Sequence, residues 1–121
     1  MRTRPEKARE FARYSASPHL RGVSCLEARF VDFAYGMHSH EDFAVGVTLA
    51  GVQSFRCRGR GQDSTAGRIM TFNPDEAHDG RAGGEEGVYY RMIYLPAELL
   101  WSVTADLWGK PSADRPSPWS V

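Results

Sequence analysis

The stretch Phe43-Ala44-Val45-Gly46-Val47-Thr48-Leu49 decides the fold. Its odd positions are all bulky and its even positions are all small. That period of two predicts a strand with two unlike faces. Ala50-Gly51 then reads as a turn, and Val52-Gln53-Ser54-Phe55-Arg56-Cys57-Arg58 as the hairpin partner. Phe55 and Cys57 share one face of that partner, while Arg56 and Arg58 share the other, with Arg60 beyond. A row of arginines on a strand either faces water, where it blunts edge-to-edge pairing, or grips an anion.

The same period appears on both sides of this segment. Upstream, Leu26, Ala28 and Phe30 alternate with Glu27, Arg29 and Val31, which predicts a strand. Downstream, Asp63-Ser64-Thr65 reads as a short strand, and Arg68 to Phe72 as another that ends at the turn Asn73-Pro74-Asp75-Glu76. Gly80, Gly83, Gly84 and Gly87, with Glu85 and Glu86, predict an acidic loop. Residues 88–95 form the last strand, with Tyr90 and Met92 on one face and Tyr89 and Arg91 on the other. Pro96 opens a helix in which Leu99, Leu100, Val103 and Leu107 recur at helical spacing, and Gly109 stops it. Near the N-terminus, Pro5 and the run Glu6 to Arg13 read as two helical turns, broken by Ser17-Pro18 and Gly22. The expected organisation is a basic N-terminal arm (1–22), a β-barrel of about seven short strands (23–95), a helix (96–109) and a Pro-rich linker (110–121). Many short strands with Gly turns predict an antiparallel barrel or sandwich.

Composition narrows the function. A chain of 121 residues, 41% apolar and 25% charged, suits one domain with one modest core. Lys+Arg and Asp+Glu balance at 15 each, yet residues 1–21 carry a net +4 and the remainder −4. The basic end is either a solvated terminus or a contact for an acidic partner. No apolar run approaches the ~18 residues of a membrane span, and no apolar signal segment opens the chain. Cys25 and Cys57 make neither a disulfide framework nor a four-ligand zinc cluster, and both read as buried free thiols. A cytoplasmic location is expected.

Three histidines carry the candidate chemistry. His38 and His40 lie two apart, so in extended chain both imidazoles face one side. With unbroken parity that side also carries Ala44, Gly46 and Thr48, whose small side chains would leave a hollow, while Phe43, Val45, Val47 and Leu49 seal the core elsewhere. His78 follows the 73–76 turn. Three imidazoles can hold a divalent metal such as Zn or Ni with a fourth position open, or hydrogen-bond a guest without metal. No nucleophile elbow and no phosphate-binding glycine loop is present.

His38-Ser39-His40-Glu41-Asp42-Phe43, Gly51, residues 67–78 and Tyr90-Arg91-Met92, in this order and spacing, resemble the N-terminal sensor domain of AraC-type transcriptional regulators. The likeness runs from about Phe11 to Trp119. It implies a mainly β fold, a cupin-like double-stranded β-helix (a jelly-roll barrel) followed by one C-terminal helix. It implies a non-catalytic domain that takes a small-molecule effector into the barrel, with His38, His40, Phe72, His78, Tyr90 and Met92 as contacts. Such regulators bind DNA through a C-terminal pair of helix-turn-helix units that these 121 residues do not show, and can pair as homodimers. Three departures stand out: Asp75 replaces the usual Gly after the turn proline, Ala44 stands where metal-dependent cupins place a Glu, and His78 lies one residue nearer the proline. The alternative class is a small metal-dependent cupin enzyme, a dioxygenase or isomerase, using His38, His40 and His78.

Overall fold

A computed structural model describes residues 10–108. Eight strands precede one helix: β1 (Phe11–Ala16), β2 (Ser24–Phe30), β3 (Ala34–His38), β4 (Phe43–Cys57), β5 (Arg60–Thr65), β6 (Ile69–Phe72), β7 (His78–Ala82), β8 (Val88–Leu95) and α1 (Ala97–Trp108). All pairings are antiparallel, in the order β1-β2-β8-β4-β7-β3, with β5 and β6 also paired to β4. The sheet curls around a core of Leu26, Ala28, Phe30, Ala44, Phe55, Cys57, Met70, Phe72, Val88, Tyr90 and Met92.

The fifteen-residue β4 joins the two halves of the curl. Its first half pairs with β6 and β8, its second with β5 and β7. Ala50-Gly51 therefore does not turn the chain, contrary to the hairpin expected there. It follows a β-bulge: Thr48 pairs with Tyr90 and Ala50 with the adjacent Tyr89, so Leu49 is the extra residue, 42% exposed. One inserted residue reverses which side chains face inward. Ala44, Gly46 and Thr48 are buried before the bulge, and Gln53, Phe55 and Cys57 after it. Gly51 makes this junction possible. Its φ is +75°, and a Cβ there would collide with the Gly87 carbonyl oxygen of the crossing chain.

The bulky face of β4 is buried at Phe43 but not beyond it. Val45 and Val47 lie half-buried on the outer surface, because the sheet curls around its small-residue face and larger side chains from opposite strands fill the interior. Gly46 receives the Met92 sulfur, so the hollow expected beside Gly46 is filled at that point. In β8 the expected parity holds: Val88, Tyr90 and Met92 point inward, and Tyr89 and Arg91 outward. Arg56, Arg58 and Arg60 are exposed, with Arg58 and Gly59 both at positive φ in the turn to β5. Cys57 is buried and Cys25 only half so, and both thiols are free.

Two further expectations change. Phe11 to Arg13 are strand, not helix, since β1 lies along β2 in register Phe11–Arg29 to Ala16–Ser24; the expected helical residues 6–9 fall outside the described residues. Glu27 fixes this pairing by taking Arg13 of β1 on one carboxylate oxygen and Tyr89 and Arg91 of β8 on the other. Second, β3 and β7 have no clear apolar alternation, and the predicted acidic loop contributes Gly80 to β7. Among the described side chains of α1 the buried one is Thr104, and Trp101 packs edge-on to Phe43 at 5.8 Å. Val103 and Leu107 of the expected apolar stripe are exposed. Gly109 and the linker at 110–121 lie outside the described residues.

Two outcomes test this architecture. Gly51→Ala should destabilise the protein by more than ~1 kcal/mol in denaturant titration, because it combines a left-handed backbone with a backbone collision. Glu27 has its pKa held below the ordinary value by the Tyr89 hydroxyl first and Arg91 next. A lowered carboxylate pKa favours the folded state above the unfolded-chain value and loses that contribution as pH falls. The Tm advantage of wild type over Glu27→Gln should therefore be full at neutral pH and shrink as pH drops below about 4.5.

Candidate functional site: a histidine and tyrosine cavity

The site begins with the turn after β6. Glu76 N–H donates to the Asn73 carbonyl at 3.2 Å, Pro74 occupies the second position, and Asp75 the third with φ +61°. This is a type II turn, which demands positive φ at its third residue. Asp75 fills the position where glycine is usual, and aspartate is among the residues that tolerate it. Asp75 N–H donates to the His40 carbonyl at 2.6 Å, tying the turn to the loop before β4. The turn thus delivers His78 to the start of β7 directly across from His38 of β3, its register partner.

The three imidazoles converge. Ring centroids lie 4.9 Å apart for His38 and His40, 4.5 Å for His38 and His78, and 5.5 Å for His40 and His78. His38 Nδ1 donates to the Gly36 carbonyl at 2.7 Å, and His78 Nδ1 to the Glu76 carbonyl at 2.9 Å. A carbonyl accepts only, so each Nδ1 carries the proton and each Nε2 presents a lone pair. His78 also stacks on Phe72, with centroids 4.0 Å apart and planes 12° from parallel. Burial lowers the pKa of His40 and His78, and neighbouring imidazoles lower it further.

These rings line a cavity of about 90 Å³. All six residues singled out in the sequence, His38, His40, Phe72, His78, Tyr90 and Met92, border it. Sequence reasoning missed Tyr14, Tyr35, Gln53, Asp79 and Tyr94, which border it too. Tyr94 shares the inward parity of Tyr90 and Met92, so that signal was present. Tyr14 lies in the segment read as an arm outside the barrel, and Gln53, although on the face of Phe55 and Cys57, is polar and gave no burial signal. Burial pushes the Tyr35 hydroxyl up to about 12 and those of Tyr90 and Tyr94 higher still, so all three stay protonated. A larger open groove, about 580 Å³, runs over the outer face beside Val45, Val47, Ile69 and Ile93. Its charged groups, Arg13 and Arg91, are already paired with Glu27, which leaves Ser15 and the Cys25 thiol as its other polar side chains, fewer than the inner cavity gathers.

The ligand atoms of the three histidines lie within 4.8 Å of one another, so they could hold one metal ion. The carbonyl bonds at Nδ1 are the second-sphere arrangement that orients metal-binding imidazoles. They equally orient imidazoles that hydrogen-bond a guest.

A curled antiparallel sheet with this inner wall is the cupin architecture. A cupin-like protein from Thermotoga maritima superposes with a TM-score of 0.65 at 15% identity, covering 74% of this chain and 71% of its own. A cupin superfamily protein from Desulfitobacterium hafniense gives 0.61 at 16% identity over 74% and 82%. A conserved Streptococcus pyogenes protein of unknown function gives 0.63 at 13% over 75% and 77%. No curated protein sequence matches the chain. Within this fold the chain belongs to the AraC-like ligand binding domain family, whose model matches residues 21–119.

Proposed function

We propose that this chain is the effector-sensing domain of an AraC-type transcription regulator, and that the effector occupies the histidine and tyrosine cavity. The observation that carries the reading is a small inner hollow walled by imidazole nitrogens, tyrosine hydroxyls and aromatic faces, in a chain of this family. Such a wall recognises a guest by hydrogen bonds and ring contacts. The domain is non-catalytic in this proposal. No Asp or Glu joins His38, His40 and His78 as a further candidate metal ligand, among the described residues. DNA contact belongs to the helix-turn-helix part of such a regulator, pairing of two copies is part of the proposal, and the location is the cytoplasm. No helix among the described residues is long and apolar enough to cross a membrane. Effector binding can shift regulation only through unequal affinity for two states. Tyr14 of β1 borders the cavity, so a guest touching it would bias how firmly the N-terminal strand is held.

Thermal shift against a panel of small metabolites tests this. An effector at 100 times its Kd should stabilise the protein by about 2.7 kcal/mol. His40→Ala and Tyr94→Phe, both at half-buried positions, should lose most of that shift. An effector that stabilises wild type and both variants equally would place the site elsewhere.

A second reading rests on the trihistidine cluster itself. His38, His40 and His78 would hold a Zn or Ni ion, leaving a position open. Such an ion supplies Lewis-acid chemistry when bound. Titration of tag-free protein should then show one equivalent of metal, lost in the His38→Ala/His78→Ala double variant. Uptake that is weak, or that survives the double variant, removes the metal enzyme.

A further inference from the structure

We propose that two copies of this chain pair reciprocally, the exposed side of α1 in one copy covering the outer groove of the other. These are the surfaces for the pairing of copies stated above, and they are independent of what the inner cavity holds. The groove lies on the outer face of β1, β2, β8, β4 and β6. In register, Val47 sits beside Ile69 and Arg91, and Val45 beside Ile93. Residues opposite each other in an antiparallel ladder share a face, so the four aliphatic side chains form one apolar field. Ile69 and Ile93 are exposed. The inner face of the same strands is already core, at Ala44, Met70, Phe72 and Met92. A sheet apolar on both faces requires a second layer. At Phe43 that layer exists: Phe43 has the outward parity of Val45 and Val47, and Trp101 of α1 packs against it. No described residue of α1 borders the groove, so the cover stops there.

α1 carries the complementary surface. Val103 and Leu107 lie one helical turn apart and are exposed, with half-buried Leu99 a turn before them. The helix packs through Trp101 and Thr104, which leaves this stripe bare. The charges match as well. Glu98 and Asp106 are the only charged residues of the helix, and both are exposed. The groove holds two guanidinium groups, Arg13 and Arg91, around one carboxylate, Glu27, and so carries an excess of positive charge. The guanidinium side chains are 73% and 61% exposed and the carboxylate 22%, so an approaching surface meets the cations first. One chain thus holds a bare apolar stripe with acids and a bare apolar field with excess base. α1 is held on Phe43 of its own barrel, so a second copy supplies the match. Each copy gives one helix and receives one, which closes a two-fold pair. Burial of exposed apolar surface drives the contact, and opposite charge orients it.

Sedimentation velocity on the full chain, from low to several hundred micromolar, tests this. Wild type should pass from monomer to dimer as concentration rises, and a monomer throughout would overturn the pairing. Ile69→Glu alters the groove at a 63% exposed position, and Leu107→Lys the helix at a 65% exposed one, so both should fold. Each change alone should weaken pairing at least roughly tenfold. An equal mixture of the two variants should pair more tightly than either alone. One copy then offers an intact helix and the other an intact groove, while the altered contact sets Lys against Glu. Pairing of helix with helix would survive Ile69→Glu, and pairing of groove with groove would survive Leu107→Lys. Either survival, or a mixture that gains nothing, would overturn the exchange. None of these outcomes bears on effector binding in the inner cavity. Should either variant fail to fold, Ile93→Glu or Val103→Lys repeats the test at the same surface.

Discussion

The extra residue at Leu49 governs what the barrel can contain. A strand alternates its side chains between two faces, so one insertion exchanges the faces for everything that follows. Without the bulge, unbroken parity from Ala44, Gly46 and Thr48 would send Ser54, Arg56 and Arg58 inward and Phe55 and Cys57 to water. Burying two unpaired guanidinium groups would cost far more than the bulge does. The register shift lets one strand bury small residues in its first half and Gln53, Phe55 and Cys57 in its second. The geometry depends on Gly51 and Gly87, both at positive φ, where the two chains cross too closely for any side chain at Gly51.

Much of this was legible in the chain, for identifiable reasons. Alternation in residues 88–95 and 26–30 reports burial directly, because each strand has one inner and one outer face. The spacing of His38 and His40 correctly places both imidazoles on one side, and the 73–76 turn marks where His78 joins them. The illegible parts share a cause. Ala50-Gly51 has the same local chemistry in a bulge as in a turn, and only the pairing of Thr48 and Ala50 with adjacent residues of β8 separates the two. The arm's alternating charges satisfy a helix locally. Its edge position on β2, with Arg13 on Glu27, decides for strand. β3 shows no alternation because three of its five residues are exposed. Gln53 shares the face of Phe55 and Cys57 in the strand read from the sequence, but a polar residue there carries no burial signal of its own.

The inner wall sorts its chemistry by protonation. Burial favours neutral His40 and His78 and protonated tyrosine hydroxyls, so these groups meet a guest as dipoles instead of charges. The backbone bonds of His38 and His78 fix which nitrogen faces inward. This pre-organisation lowers the ordering cost of binding. The donor-acceptor pattern presented is therefore built into the fold before any guest arrives.

Two glycines divide the interior into a closed part and an open one. At Gly46 the missing side chain is occupied by Met92, and dispersion contacts close the space. At Gly80 the missing side chain makes room for the Gln53 amide, whose oxygen finds no donor. The closed part does what a core must do. The open part does the opposite: it buries polar groups, leaves one unsatisfied and gathers imidazoles and hydroxyls that apolar side chains of similar volume could replace with a gain in stability. Folding alone gives no reason to keep that arrangement. The proposed recognition of a guest does, because imidazole nitrogens and tyrosine hydroxyls held along an inner wall are groups that a guest can pair with.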